Sequence, residues 1–65
     1  MSKRKRAFYG KVNVQYVDID GKEREYSIIC YKESSWLKRF YYEWELLTKM
    51  KKEGEVIDFH VTATR

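Results

Sequence analysis

Proline is absent, cysteine and histidine occur once each, and glycine occurs three times in a chain of 65 residues. A single cysteine excludes an internal disulfide framework and fits a reducing compartment, so a cytoplasmic location is expected. One Cys and one His cannot assemble a zinc site. No glycine-rich loop is present to cradle a phosphate. No apolar run approaches the roughly 18 residues of a membrane span, so no membrane partner is expected. The basic start is not followed by an apolar stretch and does not read as a secretory signal. No repeat or low-complexity tract interrupts the chain. At this length only about 60% of the unfolded surface is buried on folding, which leaves room for one domain and excludes a large enzyme architecture.

What is present is a folded composition, 43% hydrophobic and 17% aromatic, too aromatic for a disordered chain. Charge is unevenly placed. Lys and Arg number 14 against 10 Asp and Glu, and four of the positives are Lys3, Arg4, Lys5 and Arg6, so the rest of the chain carries ten of each sign. Residues 1–6 therefore read as a basic arm and residues 7–65 as a single, neutral domain. A block of like charge repels itself, and it suits phosphate backbones, where each neutralised phosphate releases a counterion. A solubilising tail has the same composition.

Asp18-Ile19-Asp20-Gly21-Lys22 reads as a hairpin tip. A three-residue loop with Gly21 in the left-handed region pairs Asp18 with Lys22. Val12 then faces Ile28, Val14 faces Tyr26 and Gly10 faces Cys30; a two-residue turn would mix the faces. Strand one spans about 8–17 and strand two about 23–32. Ser34 or Ser35 is the expected helix cap, and the helix runs to about Glu53, with Gly54 just beyond it. At 100° per residue, Trp36, Leu37, Phe40, Trp44 and Leu47 share a face and are assigned to the core. From Glu55 the period becomes two: Ile57, Phe59, Val61 and Ala63 alternate with polar residues. The fold class is α+β, in the order β-β-α-β. The sheet has three strands, mainly antiparallel, with one helix packed on one face. Right-handed crossover leaves two spatial orders, of which 2-1-3 is preferred over 1-2-3.

Parity places Phe8, Val12, Val14, Tyr26, Ile28 and Cys30 against the helix, with Ile57, Phe59 and Val61 from strand three. Cys30 and His60 then fall on opposite sides of the sheet, which excludes a nucleophile–base dyad. Asp18-x-Asp20-Gly21 lacks the further acids of a calcium loop and suits the turn instead. No catalytic residue, metal or cofactor is expected, and the chain reads as a non-catalytic binding protein. The open face should carry Tyr9 opposite Tyr31, with Lys11 beside them, an arrangement that stacks bases and attracts phosphates. Tyr9, Ile29 and Tyr31 would equally serve self-association. Tyr42 and Leu46, spaced i,i+4 on the helix back, form a second contact patch. A small core of this kind gains stability by pairing, so a homodimer is expected.

Val12, the tip Asp18-x-Asp20-Gly21-Lys22, Ser34 followed by aromatic Trp36, and Glu55-Val56-Ile57 leading into strand three give a layout that resembles the small phage inhibitors of uracil-DNA glycosylase. The resemblance covers most of the chain and implies a strand-strand-helix-strand fold, a dimer, and a host DNA-processing enzyme as protein partner. It further implies that Trp36, where the family has a Phe, enters a hydrophobic pocket of that enzyme. Family members are acidic DNA mimics, whereas this body is neutral and its arm basic. Two functions are thus expected. The leading one is a nucleic-acid-associated protein of viral or mobile-element type, using Lys3–Arg6, Tyr9, Lys11 and Tyr31. The alternative is a phage-type inhibitor using Ile29, Trp36, Tyr42 and Leu46.

Overall fold

The computed structural model describes residues 8–65. The basic run Lys3–Arg6 lies outside the described residues. Strand β1 (Gly10–Asp18), strand β2 (Glu23–Cys30), helix α1 (Glu33–Lys52) and strand β3 (Val56–Thr64) follow in that order. The sheet order is β2-β1-β3, and both pairings are antiparallel. Gly10 pairs with Cys30, Val12 with Ile28 and Val14 with Tyr26, the register that matched faces require.

The hairpin tip is built by Asp18. Its backbone N–H donates to the Lys22 carbonyl at 2.9 Å, and its own carbonyl accepts from Gly21 N–H at 2.9 Å. Gly21 has φ 84°, a conformation that only glycine adopts without cost. The Asp18 carboxylate accepts from the N–H groups of Asp20 and Lys22, both at 3.0 Å, and from Arg24 Nε at 3.1 Å. The hydrogen bond from Lys22 N–H leads in holding this carboxyl below its usual range, with those from Arg24 and Asp20 adding to it.

Helix α1 begins two or three residues earlier than a serine cap would set it. Lys32 occupies the cap position, with no side-chain cap bond, and Trp36 N–H closes the first turn on the Lys32 carbonyl at 3.0 Å. Ser34 and Ser35 lie inside that turn. The helix start follows instead from docking of Trp36, whose indole N–H donates to the Lys11 carbonyl at 3.1 Å. The C-terminus ends as expected. Gly54 has φ 83°, its N–H bonds the Lys51 carbonyl, and Glu55 N–H bonds the Met50 carbonyl at 2.8 Å. This is a Schellman motif, and Lys49, Lys51 and Lys52 complement the dipole there.

Val12, Val14, Leu47 and Val56 form the buried core, with Tyr16, Ile28, Trp36, Phe40, Met50, Phe59 and Val61 packed on it. Four residues assigned to the core are instead exposed. Leu37 and Trp44 are 43% and 48% exposed; the inward stripe is Trp36, Phe40, Glu43, Leu47 and Met50. Anchoring of Trp36 over Gly10 rolls the helix this way, and α1 rests mainly on β3 and β1. Ile57 is 55% exposed. A bulge opposite Val17 and Asp18 skips it in the pairing, and Val56 takes the buried place. Phe8 precedes β1 and is exposed, outside the pairing that would have turned it inward.

Candidate functional site

Because α1 lies mainly over β3 and β1, β2 is the strand that the helix covers least. Strand β2 ends at Cys30, the chain bends through Tyr31 and Lys32, and α1 starts at Glu33. Between them lies an open groove of about 740 Å³. Ile28, Ile29 and Cys30 supply its apolar lining, Tyr31 and Tyr42 its rings, and Lys32, Lys38 and Arg39 its charge. Among the described residues no carboxylate lines it.

Beneath the groove, Glu43 is 4% exposed. It accepts from the Tyr26 hydroxyl at 2.5 Å and from Arg39 Nη1 at 3.3 Å. A buried carboxylate persists only with such partners. Burial, followed by donation to Glu43, pushes the Tyr26 phenol well above its ordinary value. The Arg39 guanidinium also lies 5.2 Å from the Tyr42 ring centroid, within cation–π range. Arg39 is thus oriented by the carboxylate and the ring before any ligand arrives. Glu43, spaced i,i+4 from Arg39, thus lies within the fold and not on a solvated helix face.

The stacking pair Tyr9–Tyr31 is not assembled. Strand pairing ends at Gly10 and Cys30. The Tyr9 ring packs edge-on against Trp36, centroids 5.2 Å apart, and the Arg65 guanidinium sits 4.4 Å from its centroid. Tyr9 N–H does donate to the Cys30 carbonyl at 3.0 Å, so Tyr9 lies beside the groove. The open face is polar rather than aromatic. Ser27 Oγ donates to Asn13 Oδ1 at 2.9 Å, Asn13 Nδ2 to Thr64 Oγ1 at 3.3 Å, and Gln15 Nε2 to Glu25 Oε1 at 3.4 Å. Lys11 and Ile29 pair across that face, both exposed. His60 pairs with Gln15 there, while Cys30 is buried on the helix side.

Trp36 faces inward. Its indole bonds Lys11, and a Cβ on Gly10 would stand 2.8 Å from its Nε1. It therefore does not project as an anchor. Tyr42 and Leu46 are exposed, as expected of the helix back, but Tyr42 belongs to the groove. The structure thus brings Tyr31 and Tyr42 together with Lys32, Lys38 and Arg39, cations that sequence reasoning left unused. Their signal was available: Ser35, Lys38, Arg39 and Tyr42 recur at helical neighbour spacing with no acid among them.

A second, smaller cleft of about 320 Å³ lies at the hairpin end and includes Glu23, Glu25 and Asp58 beside Arg24 and His60. The Phe59 N–H, with Lys51 Nζ at 3.4 Å, holds the Asp58 carboxyl below its usual range. Among the described residues no cluster of three or more His, Cys, Asp or Glu could hold a metal ion, and no helix is long and apolar enough to cross a membrane. Comparison with protein-family models, curated proteins and solved structures finds no match.

Proposed function

We propose that this chain is a small non-catalytic protein that binds nucleic acid, with the β2–α1 groove as its platform and the basic arm as its clamp. One observation carries the reading: the groove gathers Lys32, Lys38, Arg39 and two tyrosines without a carboxylate, on a domain whose acids and bases are equal in number. Electropositive grooves with rings attract single strands, whose phosphates meet the cations and whose bases stack on the rings. Tyr9, close in sequence to the basic run, bonds Cys30 beside the groove, and in this reading the arm adds four positive charges to the binding. Lys11 adds a charge on the adjacent sheet face. A reducing cytoplasm, where such strands are accessible, is the compartment this reading implies.

The test is equilibrium binding of a fluorescent single-stranded oligonucleotide across a salt series. Lys32→Glu with Lys38→Glu should weaken binding at least tenfold at low salt, with the fold retained by circular dichroism. Deleting residues 1–6 should make the log–log salt slope shallower by about 2.8, from four phosphate contacts at about 0.7 each. Unchanged affinity in the charge-reversed protein would reject the groove. If only the deletion mattered, the arm alone would account for binding.

A further inference from the structure

Helix α1 carries a second stripe that no described residue covers. Leu37, Tyr41, Trp44 and Thr48 follow the 4-3-4 spacing of a helix-packing seam, parallel to the inward stripe of Trp36, Phe40, Glu43 and Leu47. Leu37, Tyr41 and Trp44 are 43%, 60% and 48% exposed. The seam continues the core directly, since Tyr41 meets Phe40 edge-on with centroids 5.4 Å apart. Three large apolar side chains in a row on a surface helix mark a contact site rather than scattered exposure.

We infer that this seam binds a second copy of the chain, helix against helix, antiparallel about a two-fold axis between Tyr41 and Trp44. Charge complementarity selects that occupant and that direction. The first turn holds Glu33 and the last holds Lys49, Lys51 and Lys52. Antiparallel packing sets Tyr41 across from Trp44 of the second copy and Leu37 across from Thr48. It brings the Glu33 end of each helix beside the Lys51–Lys52 end of the other, and it opposes the macrodipoles. Parallel packing would place Glu33 on Glu33 and lysines on lysines. A two-fold contact is self-complementary, so one seam supplies both halves. The surface differs from Tyr42 and Leu46 and from Ile29 and Tyr31. It lies on the flank of α1 away from Arg39, so pairing leaves both grooves open and gives the assembly two of them.

Sedimentation equilibrium of the full chain at high micromolar concentration tests this. The unmodified protein should be a dimer. Tyr41→Lys with Trp44→Lys should be a monomer, while Tyr42→Lys with Leu46→Lys stays dimeric. Glu33→Lys should weaken the dimer about fivefold or more, and adding Lys51→Glu with Lys52→Glu should restore it. This charge exchange is confined to surface residues, so the proposal stays testable if the seam variant unfolds. A monomeric unmodified protein, a dimer that survives the seam substitutions, or a charge exchange without rescue would each overturn the inference.

Discussion

The groove at the end of β2 and the cleft at the hairpin share that strand but differ in what their charges do. At the hairpin the acids have structural work: Asp18 accepts from two backbone N–H groups and from Arg24, and Asp58 holds Phe59 N–H and Lys51. In the groove, Lys32 and Lys38 make no ion pair among the described residues, while Arg39 is held by Glu43. Equal totals of acid and base thus conceal a division of labour. Asp18 and Asp58 are engaged in shaping the turn and the strand, whereas the Lys32 and Lys38 ammonium groups have no carboxylate partner among the described residues. Net charge of the domain says nothing about this; placement says it all.

The strongest way to break the comparison is at Gly10. A Cβ there would lie 2.7 Å from the Thr64 carbonyl oxygen and 2.8 Å from Trp36 Nε1. Gly10→Val should therefore destabilise the fold by about 3 kcal/mol, read as a lower urea midpoint, and should remove binding at the groove with it. A midpoint unchanged from the unmodified protein would show that Trp36 does not set the helix roll.

Next is Glu43. Glu43→Ala leaves Arg39 and the Tyr26 hydroxyl without their acceptor, at a cost of about 2 kcal/mol. Glu43→Gln should recover part of that. Tyr26 adds a pH signature. Its folded value is raised above the ordinary 10.0, so its contribution is complete below that pH and is lost as pH rises toward the folded value. The alkaline fall in unfolding free energy should be smaller in Tyr26→Phe; an identical fall would remove Tyr26 as its source.

Tyr42→Ala sharpens the contrast between the two grooves. One lost stack should weaken single-strand binding by about 1–3 kcal/mol, measured by fluorescence anisotropy. Glu25→Gln in the acidic cleft should leave affinity within about twofold, because Glu25 does not line the groove and salt screens an exposed charge. Equal effects at both sites would erase the distinction.

The smallest effect belongs to the turn. Asp18→Asn keeps the loop shape but weakens the charged acceptor, which should lower the urea midpoint slightly near neutral pH. Because the Asp18 carboxyl titrates below its ordinary 3.8, its contribution is present above that value and is lost as pH falls through the folded one. Urea midpoints of the two proteins should therefore converge in acid; a constant gap down to pH values below both would assign the effect to the loop backbone instead.

Much of the fold was legible in the chain. The three-residue loop, the Val12–Ile28 register and the Gly54 stop each rest on local chemistry or on alternation along one strand, and the 2-1-3 order was preferred on crossover topology. The separation of Cys30 from His60 follows from the same alternation. The site was less legible. Tyr9 and Tyr31 are opposite in register arithmetic, yet pairing stops one residue short and Trp36 captures the Tyr9 ring. Ile57 has the parity of a core residue, yet a bulge turns it out. Glu43 looks like the exposed partner of Arg39, yet the roll of α1 buries it beneath Tyr26.

By itself, then, the amino-acid sequence determined which segments are strands and which is helix, where the turn and the helix stop lie, and how β1 meets β2. These depend on neighbours within a few residues, or on one alternating pattern laid against another. Only the tertiary structure decided the roll of α1, its seat over β3 and β1, and hence the groove beside β2 and the bare seam of Leu37, Tyr41 and Trp44. The physical reason is that an amphipathic helix with aromatic residues on several sides has more than one face fit for burial. The choice among them is made by a distant contact, the indole of Trp36 lying over the missing side chain of Gly10 and bonded to the backbone of Lys11.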